Sequence, residues 1–258
     1  MLLTAAEISA LVGNYFWPFV RIAGLVTAMP LFSSQFIPVR VRLIIAVALT
    51  VVIVPVIPDV PSIDALSIKG MLLVLHQLLI GICMGFIFHL VISAFIIGGQ
   101  IIAMQMGLGF STMVDPVNGA QAPVLSMFFM LLVTLFFVLL DGHLALIGIV
   151  AKSFFTLPIS DQGIGREGYW ELALWGSDMF KGSLLVAMPA VTALLLVNLA
   201  LGVMGRAAPQ LNIFAVGFSI TITAGFYFML ISLPVVLVQF ENLSVNAFGV
   251  IKGLVGVE

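Results

Sequence analysis

Asp141 and His143 stand two positions apart in the 258-residue chain, and a carboxylate beside an imidazole is the usual material of acid–base catalysis. Two positions apart on a helix, however, the side chains point away from one another, so Asp141-Gly142-His143 reads as a helix break carrying a polar pair at an interface. His76 and His89 lie within one apolar run with no cysteine or carboxylate cluster beside them, which favours packing over metal ligation. Cys83 is the single cysteine; it excludes a disulfide framework and a cysteine-based metal site, and its expected role is that of a buried inert thiol. No glycine-rich loop is followed by Lys-Ser or Lys-Thr, so nucleotide hydrolysis is not expected. Neither a catalytic set nor a metal or cofactor site is expected. Arg21 is the other chemically conspicuous residue, a cation inside an apolar run. It must either pair, with Glu7 and Asp141 as the available kinds of partner, or snorkel to an interface.

The elements that would position these residues are set by composition. Of all residues 62% are hydrophobic and 8% charged, with mean hydropathy +1.30, against about 25% charged in a soluble domain. The chain reads as an all-α integral membrane protein, one membrane-embedded domain over 1–258, and a crossing needs about 20 residues, so six apolar segments consume nearly all of it. They run from about Ala10 to Phe32, Leu43 to Ile57, Met71 to Ile97, Leu125 to Val150 with a break at Asp141, Leu184 to Val203 and Phe214 to Val238. The first lacks a basic leader and is too long for a signal segment, so it is expected to be retained as a span. The net charge of −2 gives no reason to expect nucleic acid. Gly81 and Gly85 form a GxxxG pair that lets helix backbones approach. Pro189 and Asn198 signal a kink or a cavity in the fifth segment. Ile159 to Lys181 is the most polar link, with Tyr169, Trp170 and Trp175 as interfacial anchors. Arg206 to Asn212 makes a sharp polar turn, and a short tail follows the sixth segment. Lys69, Lys152, Arg166, Lys181 and Lys252 against Arg40, Arg42 and Arg206 favour both termini inside.

The polar, glycine-rich interval of this oily chain is Gly98 to Pro123, GGQIIAMQMGLGFSTMVDPVNGAQAP. Its glycines and the Asp115-Pro116 and Asn118-Gly119 turn signals argue against a long helix. Met106, Leu108, Phe110 and Met113 are interleaved with them and want burial. Irregular backbone at membrane depth is tolerated inside protein or along a cavity. The stretch is therefore either a re-entrant, plug-like loop or a connection in the headgroup region.

Several groups of residues, taken in order, carry a resemblance over essentially the whole chain. They are Pro18-Phe19-Val20-Arg21 with Pro30-Leu31-Phe32, Pro38 to Arg42, Gly81 to Phe86 running into Gly99-Gln100, and Gln105-Met106-Gly107 with Asp115-Pro116. Asp141-Gly142-His143, Ser153-Phe154 with Leu157-Pro158, and Arg206 to Phe214, including Pro209 and Asn212, complete the set. On these the chain resembles the FliR/SctT family of the type III secretion export gate. Members often have an acid where this chain has His76-Gln77, and a proline where it has Ser219.

The resemblance implies a non-enzymatic gate subunit built from kinked helical hairpins. Such a subunit would assemble with FliP and FliQ, associate with FlhB and FlhA, and pass unfolded flagellar subunits across the bacterial inner membrane at the flagellar basal body. It further implies that the segment from about Met106 to Gln121 plugs the closed pore, with Met106, Gly107, Leu108, Gly109, Phe110, Met113, Asp115, Pro116, Asn118 and Gly119 as its residues. Arg21, Gly81, Gly85, Gln100, Gln105, Asp141, His143, Asn198, Arg206, Pro209 and Asn212 become candidates for packing against neighbouring subunits. The injectisome counterpart, and a self-contained solute transporter or channel, are the alternatives.

Overall fold

The computed structural model describes residues 5–33, 37–58, 67–108, 124–160, 163–208 and 213–257. Among these there is no strand. Eight helices follow in order: α1 (Ala5–Ala28), α2 (Pro30–Ser33), α3 (Val39–Ile53), α4 (Ile68–Gln105), α5 (Val124–Leu139), α6 (Gly142–Thr156), α7 (Arg166–Ala207) and α8 (Ile213–Val255). A 3-10 turn, Val54–Val56, extends α3. The helices form because long apolar runs leave backbone groups without water, and a helix satisfies them within its own segment.

Among the described residues fewer than six ordinary crossings are found. Four stretches of described residues are long and apolar enough to cross a membrane: Val39–Val56, Ile68–Gln105, Arg166–Ala207 and Val216–Val255. A fifth crossing arises if α5 and α6, bent by 60° at their junction, count as one. The first apolar run instead gives α1, which carries Pro18 inside it and buries Trp17, Arg21, Ile22, Leu25 and Val26 against protein. At 1.5 Å per residue, the 38, 42 and 43 residues of α4, α7 and α8 give contour lengths of about 57, 63 and 65 Å, roughly twice a hydrocarbon core of about 30 Å.

Three boundaries differ from the sequence expectation. The polar link is helical from Arg166 onward, because its Glu, Ala, Leu and Lys residues favour helix whatever their polarity. The tail containing Glu241 and Lys252 is the last part of α8. Gly98 and Gly99 do not end α4, which continues to Gln105. They serve as points of close approach: a side chain at Gly98 would press on Ser183 and Val186, and one at Gly99 on the Phe129 ring.

The chain gathers into two compact units. The first takes 1–90, 137–176 and 245–258, and the second takes 91–136 and 177–244. The first is organised by α1 crossing α4. A Cβ at Gly24 would stand 2.7 Å from the Leu78 carbonyl oxygen, one at Gly85 2.7 Å from the Ala28 methyl, and one at Gly81 would overlap the Arg21 carbonyl oxygen. The Gly81/Gly85 pair thus meets a matching Gly24/Ala28 pair, the small-residue crossing by which helices pack without a hydrophobic drive between them. Phe88 lies against the Phe137 and Phe248 rings, with centroids 4.6 and 4.9 Å away. In the second unit Phe240 contacts Phe95 and Phe136, and the Ser126 hydroxyl donates to the Ile96 carbonyl at 3.1 Å.

The outer faces of α3, α5, α7 and α8 are oily. Leu43, Ile44, Val51, Val52, Leu131, Leu135, Leu196, Leu199 and Leu230 are all exposed, a surface suited to lipid or to other subunits rather than to water.

Replacing Gly81 by leucine should force α1 off α4 and cost about 3 kcal/mol. Gly176→Ala, inside α7 where a Cβ meets nothing within 4 Å, should not destabilise and should gain about 0.5–1 kcal/mol. Melting of the protein extracted from its native membrane checks both.

Candidate functional site

Two places hold the residues singled out by sequence, and each lies within one unit. The first is the root of the central loop, in the second unit. Helix α4 ends in a paired set of backbone bonds: Gly107 N–H donates to the Met104 carbonyl and Leu108 N–H to the Ala103 carbonyl, both at 3.0 Å. This is the Schellman pattern, and it needs a left-handed residue at the position Gly107 occupies with φ of +85°. Glycine meets that need without a Cβ penalty. Directly before it, Met106 is wholly buried. Its side chain fills the space left by Gly225, and its carbonyl accepts a long 3.4 Å bond from the Thr221 hydroxyl. The Phe218 ring stands beside Gly107, 3.2 Å from where a Cβ would be. The loop therefore leaves from a fixed point.

The second place is Arg21, in the first unit and fully buried. Among the described residues no carboxylate is its partner. Nε donates to Gln77 Oε1 at 2.7 Å. Nη1 donates to the Ser153 carbonyl and hydroxyl, both at 3.0 Å, and Nη2 donates to the Leu157 carbonyl at 2.9 Å. The guanidinium carbon lies 4.4 Å from the centre of the Phe154 ring, within the range of cation–π attraction. The pattern has one electrostatic sense. Ser153 and Leu157 are the last carbonyls of α6, where the chain stops at Leu157-Pro158, and a helix C-terminus carries the partial negative charge that a cation prefers. The expected Asp141 pairing is thereby corrected, and so is snorkelling, since the head group is enclosed. The Glu7 side chain lies outside the described residues.

The remaining candidates are dispersed. Gly81 and Gly85 are in the α1–α4 crossing. Asp141 is exposed in a left-handed conformation, φ 53°, between α5 and α6, with Gly142 folded over the Phe137 ring. His143 is half-buried, edge-on to Phe137 with centroids 6.4 Å apart, and its Nδ1 has no hydrogen-bond partner among the described residues. Gln100 and Arg206 are exposed, and Gln105 and Asn198 half-buried. Gly109, Phe110, Met113, Asp115, Pro116, Asn118, Gly119, Pro209 and Asn212 lie outside the described residues. Among the described residues no three His, Cys, Asp or Glu side chains converge as metal ligands would.

Gln77, Ser153 and Gly225 were not singled out by residue type. Gln77 and Ser153 have no charge to mark them as partners of a cation. Gly24 and Ala28 could have been found, since their spacing repeats that of Gly81 and Gly85.

Comparison with known proteins gives a consistent match. The family model described as bacterial export proteins, family 1, matches residues 12–247. The flagellar biosynthetic protein FliR of Pectobacterium carotovorum is 38% identical over 94% of this chain and 93% of its own length. That of Escherichia coli is 37% identical over 93% of this chain and 92% of its own. That of Bacillus subtilis is 31% identical over 93% and 94%.

Gln77→Leu should strand the Arg21 Nε–H and cost about 1–3 kcal/mol, a fall in Tm of roughly 2–10 °C. Gln77→Glu keeps an acceptor in place and should melt within about 2 °C of the parent. Thermal melting of the two variants side by side distinguishes them.

Proposed function

Because the chain belongs to family 1 of the bacterial export proteins, the family of the flagellar biosynthetic proteins FliR, we propose that it is a non-enzymatic subunit of the flagellar protein-export gate. It is a membrane protein with a flagellar export role. In the finer reading it forms, with FliP and FliQ, the channel through which unfolded flagellar subunits leave the cytoplasm. FlhB and FlhA adjoin it, in the inner membrane at the flagellar basal body. The flagellar names of the relatives favour this over injectisome use.

The observation that carries the reading is the anchored root of the central loop. A plug must be held at its base and free to move beyond it. The base is provided by the Schellman turn at Gly107, the buried Met106 and the Gly225 niche. Beyond it the sequence supplies Leu108, Phe110 and Met113, apolar groups that would close a narrow pore by dewetting, with methionine adapting to irregular gaps. Gly109 and Gly119 allow the segment to fold aside when a polypeptide arrives. The exposed apolar faces of α3, α5, α7 and α8 supply surface for neighbouring subunits.

Co-expression of the tagged chain with FliP and FliQ, followed by native mass measurement, should give a mixed particle containing this chain. A monomer or homo-oligomer excluding both would overturn the reading. In that particle, removing residues 108–119 should leave assembly intact and raise ion conductance across a planar bilayer. Unchanged conductance in a particle shown to be assembled would sink the plug.

A further inference from the structure

Within the first unit, α6 and the end of α8 enclose a cleft apart from the two places described above. Ala145, Gly148, Ile149 and Lys152 line one wall at the spacing of a single helix face. Phe248 and Lys252 line the other, and Val257 closes the end. The cavity is about 430 Å³, inside the range of about 300–1,000 Å³ typical of small-ligand sites. We infer that this cleft binds one anionic phospholipid, its phosphate between Lys152 and Lys252 and its acyl chain along Ala145, Gly148 and Phe248.

Three observations carry this. The cleft is held open by a glycine that nothing else requires. Gly148 sits within α6, where glycine costs about 0.5–1 kcal/mol relative to alanine. Its backbone is not left-handed, and a Cβ there would meet nothing within 4 Å. The walls are fixed relative to one another. The Thr156 hydroxyl at the end of α6 donates to the Val255 carbonyl at 2.6 Å. A second Schellman turn, with Gly256 at φ +69°, Gly256 N–H on Gly253 O and Val257 N–H on Lys252 O, folds Val257 over the cleft. Finally, the charged residues among the described lining of the cleft are of one sign. Lys152 is exposed and Lys252 half-buried, and the ion pair found among the described residues is Lys181 with Asp178, elsewhere in the chain.

Two cations above an apolar cleft match an amphiphilic anion. Inorganic phosphate would leave the cleft empty, and a neutral lipid would offer the two lysines no net negative charge. Residence in a membrane supplies anionic lipid continuously, and basic pockets between membrane helices recognise such head groups.

The test titrates the assembled complex, purified in detergent and stripped of lipid, with phosphatidylglycerol or phosphatidylcholine, and counts bound lipid by native mass spectrometry. One saturable phosphatidylglycerol per copy of this chain is expected, preferred over phosphatidylcholine. K152Q and K252Q should each weaken it about fivefold at low ionic strength, and added salt should weaken it further. Gly148→Phe, with both lysines intact, should abolish it by filling the cleft. Lipid-free melting of each variant separates loss of the site from loss of the fold. Any of these results would overturn the inference: no saturable binding by the parent, equal binding of the two lipids, lysine variants that melt like the parent and bind equally well, or inorganic phosphate competing while Gly148→Phe has no effect. Lysines that serve only the helix C-termini would lower melting without changing lipid retention, which also contradicts it.

Discussion

Among the described glycines the tightest approach to another backbone is at the crossing of α1 and α4, and it determines what the first unit can be. At Gly24, Gly81 and Gly85 there is no room for a single carbon beyond the backbone. Where helices touch at this range, packing and backbone polarity replace the hydrophobic effect, since lipid tails and apolar side chains attract one another no better than they attract themselves. The Arg21 carbonyl lies against Gly81, so the crossing fixes the arginine, and through it the end of α6.

Arginine in that position solves two problems with one group. A buried cation without partners would cost several kcal/mol, and the usual remedy, a carboxylate, adds a second charge to desolvate. Here the opposing charge is spread over the C-terminal carbonyls of α6, a glutamine amide and an aromatic face. The guanidinium joins α1, α4 and α6, and its partners among the described residues are all uncharged. In the second unit the same economy holds at the root of the central loop, where glycines at 107 and 225 let a methionine side chain and a tight turn occupy almost no volume.

The helices themselves were legible in hydropathy, and so were the breaks at Asp141-Gly142 and Leu157-Pro158. Their limits were less so. Glu167, Glu171 and Asp178 belong to the most polar link by composition, yet helix propensity carries them into α7. Gly98 and Gly99 read as breakers, although in a membrane helix glycine more often marks contact than termination. The partners of Arg21 could not be read at all. Gln77, Ser153 and Leu157 are 56, 132 and 136 residues away, none carries charge, and only the folded topology brings them together. The turn at Gly107 was foreshadowed by its glycine, while Gly225, which receives Met106, has no signal in sequence except its size.

The first unit closes on Arg21 and the groups that hold it, and the chain carries its own reporter. Cys83 is its only cysteine, buried within the same unit, so its accessibility reports opening of that unit. The decisive measurement is the rate of Cys83 alkylation by N-ethylmaleimide in the assembled complex, in the parent, Arg21→Met, Gln77→Met and the double variant, each rate reporting local opening. If this closure is real, the parent is protected, both single variants react faster, and the double variant reacts no faster than the worse single one, as residues sharing one interaction must. Independent, multiplying effects, or a parent alkylated as fast as an exposed thiol, would contradict it.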